Sequence, residues 1–220
     1  MDLGATRREY RTRGLAEVDL ATDPFVQFQR WFAEAHDPDG GEAIVEPNAA
    51  VLATVDAQGR PSTRHILVKA MAADGEGAGF EFYTNYQSRK GVDLAQNANA
   101  SLCFVWTHVT RQLMVNGVVE KLTGAESDAY FAQRPRGSQL GAWASDQSQL
   151  IDGRPNLEAR LVEVTERFEG ADVPRPPHWG GYRLVPDEFD FWQGRENRMH
   201  DRLGYRRSAD GGWRVERYMP

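Results

Sequence analysis

The pattern of apolar and polar residues changes from a helical to a two-residue period near residue 49. Before that point, apolar residues recur at helical spacing from Phe25 to Ala35, directly after Asp23 and Pro24. Aspartate is a frequent N-cap and proline is favoured at the first helical position, so this stretch predicts an amphipathic helix. Residues 1–20 are charged and show no periodicity, which predicts a mobile N-terminal arm.

From residue 49 onward, two-residue alternation and β-branched or aromatic residues predominate, and clusters of Gly, Asp and Pro separate the runs. These runs predict strands at 49–55, 62–70, 79–84, 100–107, 111–122, 181–184, 188–192, 203–207 and 213–218. Helical patterns interrupt them at 88–97, 123–134 and 156–168. Strands joined mostly by hairpins, without regular strand–helix alternation, favour an antiparallel barrel over a parallel sheet. The sequence therefore predicts one mainly β (α+β) domain over residues 1–220.

The composition limits the kinds of molecule that the protein is expected to bind. The chain has 220 residues, and its 26 lysines and arginines against 32 aspartates and glutamates give a net charge of −6. A general nucleic-acid-binding surface is therefore not expected, and any local basic cluster suggests a pocket for a small anion. The N-terminus lacks the apolar segment of a signal peptide, and no apolar run reaches the roughly 18 residues of a membrane helix. We therefore expect a cytoplasmic protein without membrane contacts.

Two basic segments stand out as candidate anion sites. Arg64 and Lys69 lie on an otherwise apolar strand, where regular alternation would direct them to opposite faces. They would then serve two different anions, unless a bulge brings them together or they are gatekeeper charges on an edge strand. Arg89 and Lys90 follow Ser88 in the first turn of a predicted helix, where cations oppose the helix dipole unless an anion lies between them. A solvated helix end is the alternative there.

A third basic segment carries Arg134, Arg136 and Ser138 at a helix boundary, with Tyr130 four residues before Arg134. Guanidinium groups suit phosphate because two of their N–H donors bind two oxygens at once. Tyr130 would share a helical face with Arg134. The segment is therefore a candidate phosphate site, and an ordinary surface turn is the alternative.

The run from Trp192 to Arg202 places Arg198, His200 and Arg202 at alternate positions. In a strand these three side chains would share one face, so two cations and an imidazole would converge there. That arrangement is costly without an anionic partner, which favours a site over a structural histidine. The residues together indicate at least two phosphate-sized anion sites, but they show no redox reaction and no metal-ligand spacing.

The sequence closely resembles the pyridoxamine/pyridoxine 5′-phosphate oxidase family. The matching stretches run from 7–10 to 217–220 and include 64–69, 82–90, 111–114, 134–143, 147–148, 179–181 and 191–202. The resemblance implies an FMN-binding split β-barrel of antiparallel strands with peripheral helices, assembled as a homodimer with FMN at the subunit interface. The FMN contacts that it implies are Arg64, Ile66, Leu67, Tyr83, Thr84, Arg89, Lys90, Gln112, Gln147, Ser148, Trp192 and Arg202.

By the same resemblance, the enzyme would oxidise pyridoxamine 5′-phosphate or pyridoxine 5′-phosphate to pyridoxal 5′-phosphate and reduce dioxygen to hydrogen peroxide. Arg198 and His200 would be catalytic and would face the substrate ring from the C-terminal strands at 176–220. The substrate contacts that it implies are Arg7, Tyr10, Lys69, Tyr130, Arg134, Ser138, Arg198 and His200. The loop 37–47, the hairpin 71–79 and His65 depart from the family pattern without removing any of these residues.

Two other functions are compatible with parts of this pattern. A flavin oxidase of the phenazine pathway would share the fold and the C-terminal run, but would not be expected to keep the whole substrate-phosphate set. A non-catalytic flavin or pyridoxal-phosphate binding protein could keep the phosphate contacts while losing Arg198 or His200. Both residues are present in this chain, and so is the complete phosphate set, which disfavours the two alternatives.

Overall fold

The computed structural model describes residues 14–36, 44–75 and 77–220. Within these residues, nine strands form one sheet and five α-helices accompany it. The strands are β1 (Ala49–Val55), β2 (Pro61–Leu67), β3 (Ala70–Ala72), β4 (Gly79–Asn85), β5 (Asn99–Trp106), β6 (Arg111–Lys121), β7 (Trp179–Gln193), β8 (Asp201–Arg207) and β9 (Trp213–Arg217). The helices are α1 (Pro24–His36), α2 (Arg89–Gln96), α3 (Gly124–Ala132), α4 (Arg136–Ala144) and α5 (Gly153–Arg167).

The sheet closes because a short connection joins its two edges. Its antiparallel strands follow the order β2-β1-β5-β6-β7-β4-β3, and β8 and β9 extend from β7. The edge strands β2 and β3 are consecutive in sequence, and only Val68 and Lys69 separate them. The Val68 N–H donates to the Asn48 carbonyl and the Lys69 N–H to the Glu81 carbonyl. One chain segment thus crosses between the edges, which bends the sheet into the antiparallel barrel that the sequence predicts.

The barrel core consists of the inward-facing residues of the strands, covered by α1. Alternate residues of β1 and β6 are buried, as the two-residue pattern predicts, and Leu52 and Val115 are fully inaccessible. The α1 ring of Phe28 meets Phe80 edge to face, with ring centroids 5.0 Å apart. Contacts of this kind bury the apolar stripe of α1 against the barrel and stabilise the helix there.

A smaller apolar cluster lies outside the barrel and holds the helical connections in place. It contains Phe131 of α3, Leu140 of α4, Phe168 after α5, and Trp179 at the start of β7. The predicted helix at 123–134 is confirmed, whereas α4 was not predicted as a helix. Only two α4 residues are buried, so the helix lacks a long apolar stripe that the sequence could reveal.

Two predicted strand boundaries are wrong. The strands expected at 181–184 and 188–192 form one strand, β7, which continues through Pro186. The pairing with β6 shifts register at this point, because Asn116 lies opposite Glu188 and Gly117 lies opposite Pro186, so Asp187 is an extra residue in β7. Proline, which has no N–H to donate, is tolerated beside such a bulge. The strand expected at 62–70 ends at Leu67, because the next two residues form the crossing between the sheet edges.

Part of the predicted N-terminal arm is packed on the barrel. Residues 1–13 lie outside the described residues, but Leu15 is 7% exposed and belongs to the core cluster. Residues Glu17–Asp19 then form one 3₁₀ turn before α1. A mobile arm of the predicted kind would therefore be confined to the residues before Gly14.

Candidate active site

A cleft of about 960 Å³, called the main cleft below, lies between the β2–β3 crossing, the end of β4, and the α3–α4 layer. Many of the residues that the resemblance implies for FMN or substrate line this one cleft. They are Ile66, Leu67, Lys69, Tyr83, Thr84, Lys90, Tyr130, Arg134, Ser138 and Gln147. The fold therefore brings together residues that are up to 81 positions apart in the sequence, between Ile66 and Gln147.

Lys90 is the buried cation of the cleft, and its side-chain partners are neutral. The residue is 8% exposed, and its ammonium group lies 3.2 Å from Thr84 Oγ1, 3.3 Å from Ser88 Oγ and 3.4 Å from Gln147 Oε1. Burial, assisted by the nearby charge of Arg64, lowers the pKa of Lys90 to about 8. A buried ammonium group with three uncharged acceptors is suited to an incoming anion.

The first turn of α2 concentrates further anion-binding groups beside Lys90. Ser88 caps the helix, and its hydroxyl accepts from the Gly91 N–H. The Arg89 N–H donates to Ser148 Oγ over 3.2 Å, which draws the loop carrying Ser148 onto this helix end. Free N–H groups at a helix N-terminus favour anions, so these side chains and the backbone act in the same direction.

Arg64 lies on β2, outside the main cleft, and neighbouring polar side chains bind its guanidinium group. Its guanidinium donates to Thr54 Oγ1 over 2.7 Å and to Ser62 Oγ over 2.6 Å. It also lies 3.8 Å from the carboxylate of buried Asp93. Burial lowers the pKa of Arg64, with Asp93 opposing the shift. The positive charge of Arg64 therefore acts on Lys90, although Arg64 does not line the main cleft.

A second cationic group of the cleft surrounds Arg134 in the α3–α4 connection. The Arg134 guanidinium lies 4.6 Å above the Trp179 ring, and burial lowers its pKa. Its Nη1 atom is buried and has no hydrogen-bond partner among the described residues. Exposed Lys69 and the hydroxyl-bearing Ser138 line the same cleft. This donor set fits a phosphate, because its donors are not committed to a protein carboxylate.

The aromatic rings of Tyr83, Tyr130 and Trp179 form a stack on this side of the cleft. The Tyr83 and Tyr130 rings are 3.7 Å apart and nearly parallel, and Trp179 lies 5.6 Å from Tyr83. Burial raises the pKa of both tyrosines, and Glu81 adds to the shift of Tyr83. Both hydroxyls therefore stay protonated near neutral pH and can donate hydrogen bonds.

Sequence reasoning gave Trp179 no role, although it carries the Arg134 guanidinium. The residue follows a proline-rich segment and reads as a core aromatic. Its position is set by strand pairing, since Trp179 of β7 lies opposite Asn85 of β4. Asn85 also lines the cleft. Such pairing between distant strands leaves no local signal in the sequence.

Three further predicted FMN contacts form a separate group on the C-terminal strands. Gln112 of β6 lies opposite Trp192 of β7, which lies opposite Arg202 of β8, so the three share one face of the sheet. Arg202 donates from Nε and Nη2 to the carboxylate of Asp190, over 2.8 Å and 2.6 Å. None of these four described residues lines the main cleft. We call Gln112, Trp192 and Arg202 the C-terminal face.

The prediction that Arg198, His200 and Arg202 share one strand face is wrong for Arg198 and His200. Gln193 pairs with Asp201, so residues 194–200 form the loop between β7 and β8 rather than a strand. Arg198 lies in a 3₁₀ turn and has a φ of 61°, a left-handed conformation. The His200 Nδ1 atom lies 3.0 Å from the Arg195 backbone nitrogen, and its ring lies 4.6 Å from Trp192. His200 thus still adjoins the C-terminal face, while Arg198 is exposed in the loop.

Two predicted substrate contacts, Arg7 and Tyr10, lie outside the described residues. Arg136, which the sequence also placed in the basic segment, donates instead to the backbone carbonyls of Ala171 and Phe168. It therefore anchors the start of α4 rather than serving the cleft.

Of the described helices, none has the length and apolar character needed to cross a membrane.

Comparison with family models identifies two adjoining regions of the chain. Residues 41–168 match the model described as pyridoxamine 5′-phosphate oxidase. Residues 179–220 match the model described as the C-terminal dimerisation region of pyridoxine 5′-phosphate oxidase. The first region includes the cleft residues up to Gln147, and the second includes Trp179 of the cleft together with Trp192 and Arg202 of the C-terminal face.

Curated relatives match the chain along almost its whole length. A pyridoxine/pyridoxamine 5′-phosphate oxidase of Cupriavidus metallidurans is 53% identical over 218 residues, which is 99% of both chains. A protein with the same name from Burkholderia vietnamiensis is 52% identical over 220 residues, again with 99% coverage of both. Similarity of this extent includes the arm, the barrel and the C-terminal strands.

Solved structures share the fold. The PhzG protein of Burkholderia lata, in complex with tetrahydrophenazine-1-carboxylic acid, superposes with a TM-score of 0.84 at 31% identity, covering 95% of this chain and 99% of that one. An FMN-binding protein of Nostoc punctiforme related to pyridoxamine 5′-phosphate oxidase gives a TM-score of 0.70 at 16% identity, covering 91% and 100%. The fold is therefore the split β-barrel that the sequence predicts. The matched models and the near-complete relatives together establish that this chain belongs to the pyridoxamine 5′-phosphate oxidase family.

Proposed function

We propose that this protein is an FMN-dependent oxidase that converts pyridoxamine 5′-phosphate or pyridoxine 5′-phosphate to pyridoxal 5′-phosphate. Dioxygen would accept the electrons and leave as hydrogen peroxide. The observation that carries the proposal is the presence of two cationic groups in one cleft, around Lys90 and around Arg134. A phosphorylated cofactor and a phosphorylated substrate would each require one of them.

The group around Lys90 would hold the FMN phosphate. Lys90 supplies a buried ammonium group with neutral partners, and the N-terminus of α2 adds the positive end of its helix dipole. Arg64 and Arg89 would add positive charge, while Ile66, Leu67, Tyr83, Thr84, Gln147 and Ser148 would complete the cofactor contacts on this side. FMN, when bound, supplies a hydride acceptor that protein side chains lack.

The group around Arg134 would hold the substrate phosphate. Lys69, Tyr130, Arg134 and Ser138 line this part of the cleft, and Trp179 supports the guanidinium from below. Holding the phosphate fixes the substrate ring relative to the cofactor, which is the main contribution that the protein makes to a hydride transfer. The substrate carbon C4′ would then lose a hydride, giving the aldehyde from the alcohol, or an imine that water hydrolyses to the aldehyde and ammonia.

A homodimer would complete this site. Gln112, Trp192 and Arg202, with Arg198 and His200 beside them, lie outside the cleft of their own protomer. The match of residues 179–220 to a dimerisation region supports a dimer in which this face of one protomer closes the cleft of its partner. Residues 1–220 would then act as one domain, with the arm before Gly14 contributing Arg7 and Tyr10 to the substrate.

A substrate comparison tests the proposal. The purified protein, loaded with FMN, is mixed with pyridoxamine 5′-phosphate, pyridoxine 5′-phosphate and unphosphorylated pyridoxamine, and both aldehyde and peroxide are measured. We expect both phosphorylated compounds to be oxidised with one peroxide formed per aldehyde, and we expect the unphosphorylated amine to react far more slowly. Equal rates with and without the phosphate would contradict the assigned phosphate site.

One observation favours a second candidate function. The PhzG structure shares 31% identity and a TM-score of 0.84 with this chain, and its ligand is a phenazine precursor without a phosphate. Turnover of tetrahydrophenazine-1-carboxylic acid, with none of the vitamin B6 phosphates, would support a phenazine-type oxidase instead. A protein that binds FMN but oxidises neither class of compound would support a binding role.

A further inference from the structure

Three segments that are distant in sequence meet at the carboxylate of Asp201, the first residue of β8. The Leu15 N–H donates to Asp201 Oδ2 over 3.0 Å, and Arg195 Nη1 donates to the same oxygen over 3.3 Å. Arg217, the last residue of β9, donates from Nη1 to Oδ1 over 2.8 Å. The Asp201 side chain is 16% exposed, so these contacts fill most of its surroundings. We call Asp201 with these three partners the Asp201 node.

Arg217 extends the Asp201 node to the 3₁₀ turn before α1. Its Nε and Nη2 atoms donate to the two carboxylate oxygens of Glu17, over 2.7 Å and 3.0 Å. Nη2 also donates to the Leu15 carbonyl over 3.0 Å. Both peptide groups of Leu15, its N–H and its C=O, are thus bound by the Asp201 node. Hydrogen bonds from Arg217 lower the pKa of Glu17 to about 2, so the pair stays ionised through the neutral range.

The Asp201 node also touches both ends of the loop 194–200. Asp201 directly follows His200, and Arg195 lies at the other end of the loop. The Arg195 backbone nitrogen lies 3.0 Å from His200 Nδ1, so a second contact joins the two ends of the loop. Burial alone would raise the pKa of Asp201, but hydrogen bonds from Leu15 and Arg217 outweigh it and lower that pKa. Asp201 is therefore a charged acceptor that braces the loop carrying Arg198.

Gly14 marks where the N-terminal segment meets this loop. A Cβ atom on Gly14 would lie 1.7 Å from Arg195 Nη1 and 3.0 Å from Asp201 Oδ2. The backbone of residue 14 is therefore in direct contact with the Arg195 guanidinium.

We propose that Asp201 is a positioning residue, which fastens the N-terminal segment to the loop that carries Arg198 and His200. The inference rests on the proposed function for the roles of these two residues and of the arm. Asp201 faces away from Arg202, because neighbouring residues of a strand point to opposite sides. It would act by holding Leu15 and the loop together, so that the loop presents Arg198 and His200 to the substrate in a fixed position.

The first test measures the attachment itself. The full-length FMN-loaded protein is treated briefly with trypsin, and cleavage after Arg13 is followed by mass spectrometry for the wild type, Asp201→Asn and Glu158→Gln. Glu158 is an exposed carboxylate paired with Arg154 on α5, so Glu158→Gln is the matched control. We expect Asp201→Asn to be cleaved about fivefold faster or more, because local opening becomes easier, and the control to match the wild type. Equal cleavage of Asp201→Asn and wild type would overturn the attachment.

The second test separates positioning from a general loss of stability. Asp201→Asn, Arg195→Gln and the double variant are compared for kcat/KM and for FMN dissociation constant. We expect each single variant to lower kcat/KM about fivefold or more with unchanged FMN affinity, and the double variant to be no worse than the poorer single one. Additive losses, or losses that follow weaker FMN binding, would mean a merely structural role.

The two proposals fail in different ways. If the wild type oxidises no vitamin B6 phosphate, the proposed function is wrong, while cleavage after Arg13 still decides whether Asp201 fastens the N-terminal segment. If the wild type is active and Asp201→Asn is normal in cleavage and in kcat/KM, the oxidase assignment stands and the positioning role of Asp201 is wrong. Glu17→Gln offers a further check: it removes one carboxylate partner of Arg217 and leaves Asp201 in place, so it should speed cleavage after Arg13 and lower kcat/KM, each by less than Asp201→Asn does.

Discussion

At the scale of single residues, the setting of Lys90 favours an anionic ligand. Its ammonium group is buried against hydroxyl and amide oxygens, and desolvation lowers its pKa to about 8. A group with this pKa is mostly protonated at neutral pH and neutral above pH 9. Its affinity for an anion must therefore depend on pH within the range where most proteins remain folded.

The expected pH dependence follows from linkage. A bound phosphate favours the protonated form of Lys90, so above pH 8 binding must take up a proton. We expect the FMN dissociation constant to rise between pH 8 and 9.5 by up to about tenfold per pH unit. Lys90→Met should bind FMN more weakly with a flat profile over this range, whereas the control Lys121→Met, at an exposed lysine, should keep the wild-type profile. Fluorescence titration measures both quantities.

Asp190 and Arg202 offer a second test at the scale of single residues. The Asp190 side chain is 1% exposed and accepts two hydrogen bonds from Arg202. We expect Asp190→Asn to lower the free energy of unfolding by about 1–3 kcal/mol, since it removes a buried charged acceptor. Glu188 pairs with Arg206 on the same two strands, and its side chain is 27% exposed, so Glu188→Gln should cost less than about 1 kcal/mol. Urea unfolding followed by fluorescence distinguishes the two losses.

At the scale of elements, the longest strand contains a local irregularity. β7 continues through Pro186 because it bulges at Asp187, opposite the step from Asn116 to Gly117 in β6. A Cβ atom on Gly117 would lie 2.1 Å from the Val185 carbonyl oxygen and 2.8 Å from the Pro186 Cα. Both are backbone atoms, so the contact could be relieved only by moving the strand.

Substitution of this glycine should therefore destabilise the protein. We expect Gly117→Ala to lower the free energy of unfolding by about 1–3 kcal/mol, the usual cost of overpacking. Gly137→Ala is the matched control, because a Cβ there would meet open space within α4, and the change should be neutral or slightly stabilising. A Gly117→Ala variant as stable as the wild type would show that β7 can shift freely past the bulge.

At the scale of the whole molecule, the predicted site residues fall into two sets in one protomer. The cleft holds Lys69 and Arg134, whereas Trp192 and Arg202 lie outside it on the C-terminal face. Neither set alone provides both the phosphate contacts and the ring contacts that the proposed reaction requires. The proposed symmetric dimer would resolve this separation, because the C-terminal face of each partner would complete the other protomer's cleft.

Mixed dimers test this arrangement. Arg134→Gln and Arg198→Ala should each lower kcat/KM by at least about tenfold, because each removes a charged contact to substrate. If the sites are shared, co-expressing the two variants yields mixed dimers with one intact site. Random mixing should then restore about a quarter of the wild-type activity, since half of the dimers are mixed. No restoration would mean that both residues serve the same protomer's site.

The sequence by itself determined the local structure where one pattern continued without interruption. β1 occupies residues 49–55 as predicted, and α1 carries its apolar stripe onto the core. The basic segments were also recognisable, because cations near a helix N-terminus are unfavourable without an anion. The resemblance to a known family then supplied residue roles that alternation and spacing do not contain.

Only the tertiary structure decided which of these residues lie together. Lys90 meets Gln147, and Arg134 meets Trp179, across distances in sequence that no local pattern spans. The strand expected to align Arg198, His200 and Arg202 is largely a loop, because Gln193 pairs with Asp201. Hydrogen bonds between strands set this register, and they depend on partners far along the chain. Periodicity therefore predicted the elements, while pairing between distant strands built the site.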